Sequence, residues 1–298
     1  MAVSDISKKK LDNAKKMGVK KTFTDYQQLL NDPSVDAVII ALPTHLHSRC
    51  CKDAAEAGKD IFVEKPLARD IEEGKEIISV TKKNGTKLAV GYDLRFNPLF
   101  LDLKEKMQSG TLGDVEIAYA TNIGSGPFSH RSEGSIPRPV PTWWFEKKLT
   151  GGGALMDLGV HLINLLRWYF GEISGIKSHF GYRFNLDVED HATCIAKFAS
   201  GPVAVVNVGW FSMGRQLKVE LLGTVEHASV CYVTPNQIIT ATQLLLTNFC
   251  KFYLPYFREL EHFVHCVKHD LQPSPSGNDA LKDLETISLA YKNKTVLE

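Results

Sequence analysis

The chain has 298 residues, 44% hydrophobic and 23% charged, the composition of an ordinary globular protein with room for two domains. Its 35 basic and 34 acidic residues are intermixed and leave a formal net charge of +1, which argues against a nucleic-acid partner or a polybasic membrane arm. The six cysteines are scattered without CxxC spacing, the pattern of reduced thiols in a cytoplasmic protein. No run of about 18 apolar residues predicts a membrane span, and the start lacks the apolar core of a signal peptide.

In chain order, Ala2–Ser4 reads as a very short strand ending at Asp5, and 7–17 as a helix with Leu11, Ala14 and Met17 at helical spacing. The lysines at 8–10 and 15–16 form the wet face of that helix. A brief strand at 21–23 leads to a short helix at 25–30, with Thr24 or Asp25 as its cap. The apolar, branched run 35–42, VDAVIIAL, predicts a buried parallel strand, closed by Pro43 and Thr44. A helix over 47–57 ends at Gly58, a strand over 60–63 ends at Glu64-Lys65-Pro66, a helix over 70–84 ends at Gly85, and 87–91 is a further strand. This alternation implies a parallel sheet covered on both faces.

After Gly91 the pattern changes, and the boundary is placed near Tyr92–Arg95, giving units 1–93 and 94–298. A helix is expected at 98–109, an alternating strand at 115–122, a Gly/Ser/Pro-rich loop at 124–141 and a helix at 152–170. Alternating strands follow near 176–184, 191–198, 203–211 and 216–222, then helices at 256–269 and 279–291. The second unit is therefore α+β with a mainly antiparallel sheet. Val203, Val205, Asn207 and Gly209 fall on one face of its third strand and Ala204, Val206, Val208 and Trp210 on the other. Both faces need cover, one from the unit's own helices and one from a partner chain.

In a doubly wound sheet, ligands bind at the carboxyl ends of the strands. Asp5, the turn Leu42-Pro43-Thr44-His45-Leu46-His47, and Glu64-Lys65-Pro66 occupy such ends. Pro66 restricts Lys65 to extended geometry and so aims its side chain, the alternative being a solvated turn lysine. In GGGALMDLGVH, residues 151–161, Asp157 and His161 stand four apart and so share one helix face. An imidazole beside a carboxylate can move a proton; a core histidine satisfied by an aspartate is the alternative. Trp143 and Trp144 beside the loop can stack on a sugar ring or pack in the core. His45 and His47 lack the carboxylate partners of a metal site, and His262, His265 and Cys266 read as one packed helix face.

Taken together, VDAVIIALPTHLH, AAEAGKDIFVEKP, GYDLRFNP and WWFEKKLTGGGALMDLGVHLIN, in this order along almost the whole chain, resemble the glucose–fructose oxidoreductase/inositol dehydrogenase (Gfo/Idh/MocA) family. The resemblance implies a Rossmann domain followed by the α+β domain, and NAD-dependent oxidation of a secondary hydroxyl on a sugar, polyol or cyclic alcohol by a homodimer or homotetramer. By the same resemblance, Lys65 holds the substrate hydroxyl, His161 exchanges its proton, and Asp157 assists. Pro43, Thr44 and His47 line the nicotinamide, and Asn97 and Pro98 lie near the active site. Asp5 matches the acid that bonds the adenosine ribose, which favours NAD over NADP; it also suits a helix cap. A non-catalytic sugar- or cofactor-binding regulator and a redox-cycling glycosidase are the rival functions on this fold. The fingerprint G-x-G-x-x-G is absent from the sequence. The first βα unit, about 30 residues carrying the glycine loop, is therefore expected to be missing, through a start assigned too far downstream or a real truncation.

Overall fold

The computed structural model describes residues 1–128, 141–212, 214–233 and 253–295. β1 (Ala2–Ser4) and β2 (Lys21–Phe23) pair in parallel across α1 (Lys8–Lys16). β3 (Ala37–Ile40), β4 (Asp60–Glu64) and β5 (Leu88–Gly91) form a second, all-parallel sheet. Among the described residues no strand pairing joins the two sheets. They are linked through α2 (Tyr26–Leu30), capped by Asp25, whose Tyr26 hydroxyl and Gln27 amide each donate at 2.6 Å to Asp53 on α3 (His47–Glu56). Asp70 caps α4 (Ile71–Asn84) through Glu73 N, and Gly85, at φ +68°, closes it in the left-handed conformation that favours glycine.

Alternation along the strands sorts the two faces of this sheet. Val38, Ile40, Ile61, Val63, Leu88 and Val90 are buried in the main core, which α3 shares. On the opposite face, Phe263 of α8 (Leu254–Lys268) packs on Phe62 and Ala89. The cover reaches Ala37 at the start of β3 but leaves Ile39 58% exposed. The eight-residue apolar run is thus only a four-residue strand, and it is not buried on both faces.

α5 (Pro98–Gln108) leads into a six-stranded sheet. Its strands are β6 (Val115–Ile123), β7 (Ile173–Gly181), β8 (His191–Phe198), β9 (Val203–Gly209), β10 (Gln216–Gly223) and β11 (His227–Val233). The order is β11-β10-β6-β9-β8-β7, with every pairing antiparallel except β6 with β9. The sequence reading left out β11. The inner face, Ala204, Val206, Val208 and Trp210 among it, is buried. Before this sheet's β7 come α6 (Lys147–Thr150), a π-helical turn at Leu155–Gly159, and α7 (Val160–Phe170). Residues 129–140 of the expected loop lie outside the described residues.

By length and composition Lys147–Phe170 could cross a membrane, although the sequence shows no unbroken apolar run of that length. However, 72% of its most apolar window is buried within the fold, so its hydropathy is that of a core helix. α9 (Gly277–Lys292), with a capping box of Ser276 and Asp279, packs on α4 and α7. A buried polar chain ties these parts together. Arg95 Nε donates to Asn164 Oδ1, Asn164 Nδ2 to Asp283 Oδ2, and Arg167 Nη1 to Asp283 Oδ1, each at 2.6 Å. Burial pushes the Asp283 carboxyl up to about 6 against the pull of Arg167 and Asn164. The turn after β5 is thereby fixed to α7, the helix that carries His161.

Candidate functional site

Two adjacent parallel strands deliver the first half of the site. β4 and β5 pair with Glu64 opposite Gly91, so Lys65 and the pair Tyr92-Asp93 leave the sheet side by side at its carboxyl edge. Lys65 Nζ donates to Asp157 Oδ1 and to the Asp157 carbonyl, both at 2.8 Å. Asp93 opens a 3₁₀ turn over Asp93–Phe96, and its Oδ1 lies 3.3 Å from His161 Nδ1. The side chains of Lys65, Asp157, Asp93 and His161 each keep 16–18% of their surface exposed, so solvent or a small ligand can reach them.

The second half arrives on the glycine-led helix. Gly151 has φ +81°, and a Cβ on Gly153 would stand 1.9 Å from Glu189 O, so neither position takes a side chain without rearrangement. Glu189 Oε1 accepts from Leu155 N, and both its carboxylate oxygens accept from Gly153 N; Tyr291 also donates to Oε1. A buried carboxylate therefore holds the entrance of the helix, where unpaired N–H groups favour negative charge. Burial raises its pKa, and these donors oppose the shift.

The helix that follows is not regular. The π turn Leu155–Gly159 widens the spiral, so the expectation that Asp157 and His161 act as a pair on one helical face does not hold. Asp157 turns to Lys65 and, through Oδ2, accepts from the Trp210 indole at 3.2 Å. His161 turns to Asp93, and the Tyr92 ring stands edge-on to it at 6.3 Å.

The remaining candidates fall into place unevenly. Glu64 ends β4 beside Lys65; burial lifts its pKa against the pull of Lys65 and His161. Pro43 precedes a 3₁₀ turn at Thr44–Leu46, in which Thr44 is buried. His47, expected beside the nicotinamide, is 1% exposed, with Nδ1 2.9 Å from Pro66 O and Nε2 2.8 Å from Leu42 O. It braces the turns after β3 and β4 and has no polar atom left to offer a ligand. Asn97, expected at the substrate, is likewise 1% exposed; its Oδ1 caps α5 through Leu99 N and accepts from the Tyr232 hydroxyl. Both side chains are buried, with both ring nitrogens of His47 and the Oδ1 of Asn97 already taken up within the fold. Trp143 stands edge-on to His45 on the β3 turn, with Trp144 against it, and both are half-buried. Asp5 accepts from Ser7 N at 2.8 Å and from Lys10 Nζ at 3.1 Å, yet its side chain stays 25% exposed.

Three residues were not found from sequence: Asp93, Trp210 and Glu189. Asp93 follows a parallel strand, as Asp5 and Lys65 do, so the strand-end rule contained its signal. Trp210 and Glu189 act across 53 and 36 residues of sequence, where local spacing says nothing.

With this geometry in place, likeness to known proteins is informative. Residues 1–92 match a family described as an oxidoreductase family with an NAD-binding Rossmann fold, and residues 100–228 match the GFO/IDH/MocA C-terminal domain. The chain is 31% identical over 294 residues to the scyllo-inositol 2-dehydrogenase (NAD(+)) of Bacillus subtilis, covering 94% of this chain and 81% of that protein. It is 27% identical to the myo-inositol 2-dehydrogenase of Thermotoga maritima, covering 100% and 88%. The crystal structure of a probable dehydrogenase from Thermotoga maritima superposes with a TM-score of 0.82 at 25% identity, covering 98% of this chain and 89% of that one.

Proposed function

The chain belongs to the Gfo/Idh/MocA family of NAD-binding oxidoreductases, and from that premise we propose that it oxidises a secondary hydroxyl of a cyclic polyol or sugar, with inositols as the first candidates. The observation that carries this reading is the cluster at the carboxyl edge of β4 and β5, where a lysine and a histidine, each beside its own carboxylate, remain reachable from solvent. The named activities of the Bacillus subtilis and Thermotoga maritima relatives support the cyclitol class.

The donor set suits a dinucleotide. Asp5 offers an exposed carboxylate oxygen to ribose hydroxyls, and a negative charge there disfavours a 2′-phosphate. Pro43, Thr44, Glu64 and Lys65 would border the nicotinamide end. NAD, when bound, accepts the hydride. Lys65 holds its cation toward the substrate oxygen and stabilises the charge that grows there as the proton leaves. His161 receives that proton in its neutral form. Trp143 supplies an apolar ring face beside the β3 turn for the carbon skeleton.

The direct test is NADH fluorescence with scyllo-inositol, myo-inositol and a panel of hexoses, in parallel with NADP. NAD-linked turnover on at least one cyclic polyol or sugar is expected. Saturable binding of sugar with no NADH formed would replace the dehydrogenase reading with that of a non-catalytic binder.

We further propose that the outer face of the six-stranded sheet is an interface between copies of this chain. The registers Glu220–Tyr119–Val205–Ile195 place Tyr119, Val205 and Ile195 in one cross-strand row. Tyr119 is 40% and Ile195 55% exposed, beside Ile117 at 38%. Such a stripe needs cover. Light scattering is expected to show a dimer or tetramer, and Ile195→Lys to shift it toward monomer. A wild-type monomer at micromolar concentration would contradict this.

A further inference from the structure

His161 stands at the carboxyl edge of the sheet beside Lys65, and its surroundings pose a chemical question. Its Nδ1 is buried with no hydrogen bond formed among the described residues, and Asp93 Oδ1 stands 3.3 Å from it. The carboxylate one turn earlier, Asp157, is already engaged: Oδ1 by the Lys65 ammonium and Oδ2 by the Trp210 indole. Asp93 reaches His161 because β5 ends in register with β4 and the chain then turns tightly at Asp93–Phe96, itself held to α7 by Arg95 and Asn164. The edge of Tyr92 limits rotation of the imidazole.

The geometry points to Asp93 as the positioning residue of His161, holding the imidazole by Nδ1–H so that Nε2 faces the substrate hydroxyl, with Asp157 assigned instead to Lys65. This rests on the dehydrogenase reading of the site. When the hydroxyl O–H bond breaks, its proton goes to Nε2 and the ring becomes an imidazolium. The Nδ1 proton stays on the ring, and Asp93, still ionised, offsets the new charge. The Nε2 proton is later released to water, which the partly exposed ring can reach. Burial opposes the charge on Asp93, but His161, Lys65 and Arg215 outweigh it and hold its carboxyl below the usual range. The other titratable groups facing this pair are Glu64 at the end of β4 and Glu259 and Tyr256 on α8. An aspartate on the far nitrogen of a catalytic histidine fixes its tautomer in the same way in serine proteases, where the asparagine variant presents the wrong one.

The test reads the tautomer directly. In protein labelled with ¹⁵N-histidine, the His161 signal, assigned by its loss in His161→Gln, is expected to show the Nδ1–H form above the ring's titration. Asp93→Asn, whose amide can donate to Nδ1, is expected to convert it to the Nε2–H form, whereas Asp157→Asn leaves it unchanged. On a polyol substrate, Asp93→Asn should lower kcat by about 10²-fold, with KM and NAD affinity within about threefold. A wild-type Nε2–H tautomer, or one that responds to Asp157→Asn and not to Asp93→Asn, overturns the assignment. The spectrum requires no turnover, so a chain that oxidises no polyol would defeat the dehydrogenase reading while this test still gave its answer.

Discussion

Replacing Lys65 by methionine is expected to lower kcat for polyol oxidation by roughly two to four orders of magnitude while NAD affinity changes little. Methionine keeps the length and apolar stem of the side chain and removes only the charge. That charge is set by two 2.8 Å bonds to Asp157, one to the carboxylate and one to the carbonyl. A positioned cation at a developing alkoxide acts chiefly in the transition state, so the loss belongs in kcat rather than KM. Stability should fall only modestly, on the order of 1 kcal/mol, because the pair is partly exposed and Asp157 keeps its bond to Trp210. Turnover within a few-fold of wild type would remove Lys65 from the mechanism.

The strand ends were the legible part of this site. A lysine between a buried strand and a proline, and an acid after a short strand, stand out because a parallel sheet puts chemistry at its carboxyl edge. The helix was misjudged for a definite reason. Counting four residues from Asp157 to His161 assumes an α-helix, and the π turn at Leu155–Gly159 breaks that assumption. Asp93 obeys the same strand-end rule, but it lies 68 residues from His161 in sequence, whereas Asp157 lies four away. His47 and Asn97 show the opposite case: both ring nitrogens of His47 and the Oδ1 of Asn97 are taken up by backbone or a neighbouring hydroxyl. In the fold, alternation found most strands, but β3 came out half as long as its apolar run, because apolar residues continue into the turn that follows it. That α8 should cover β4 and β5 had no local signal; it depends on an apolar match between Phe263 and Phe62 across most of the chain.

Glu259 offers the second large effect, this time in stability. It lies on α8, 2% exposed, and its Oε2 has no hydrogen-bond partner among the described residues. Burial, reinforced by the negative charges of Asp93 and Glu64, pushes its carboxyl up to about 9. In the unfolded chain the same group ionises near the ordinary glutamate value of about 4.3. Folding at neutral pH must therefore take up a proton. The group's contribution to stability is fully present below about pH 4, declines as pH rises toward the folded value, and is lost above it. At pH 7 this uptake costs about 4 kcal/mol, from about 1.4 kcal/mol per pH unit crossed. Glu259→Gln keeps the shape of the neutral carboxyl and removes the proton uptake. The variant should match wild type near pH 4 and exceed it increasingly as pH rises, by about 4 kcal/mol at pH 7, read from denaturant midpoints across the range. Parallel stability curves for the two proteins would mean that Glu259 folds as a carboxylate. A second negative charge would then face Asp93 from α8.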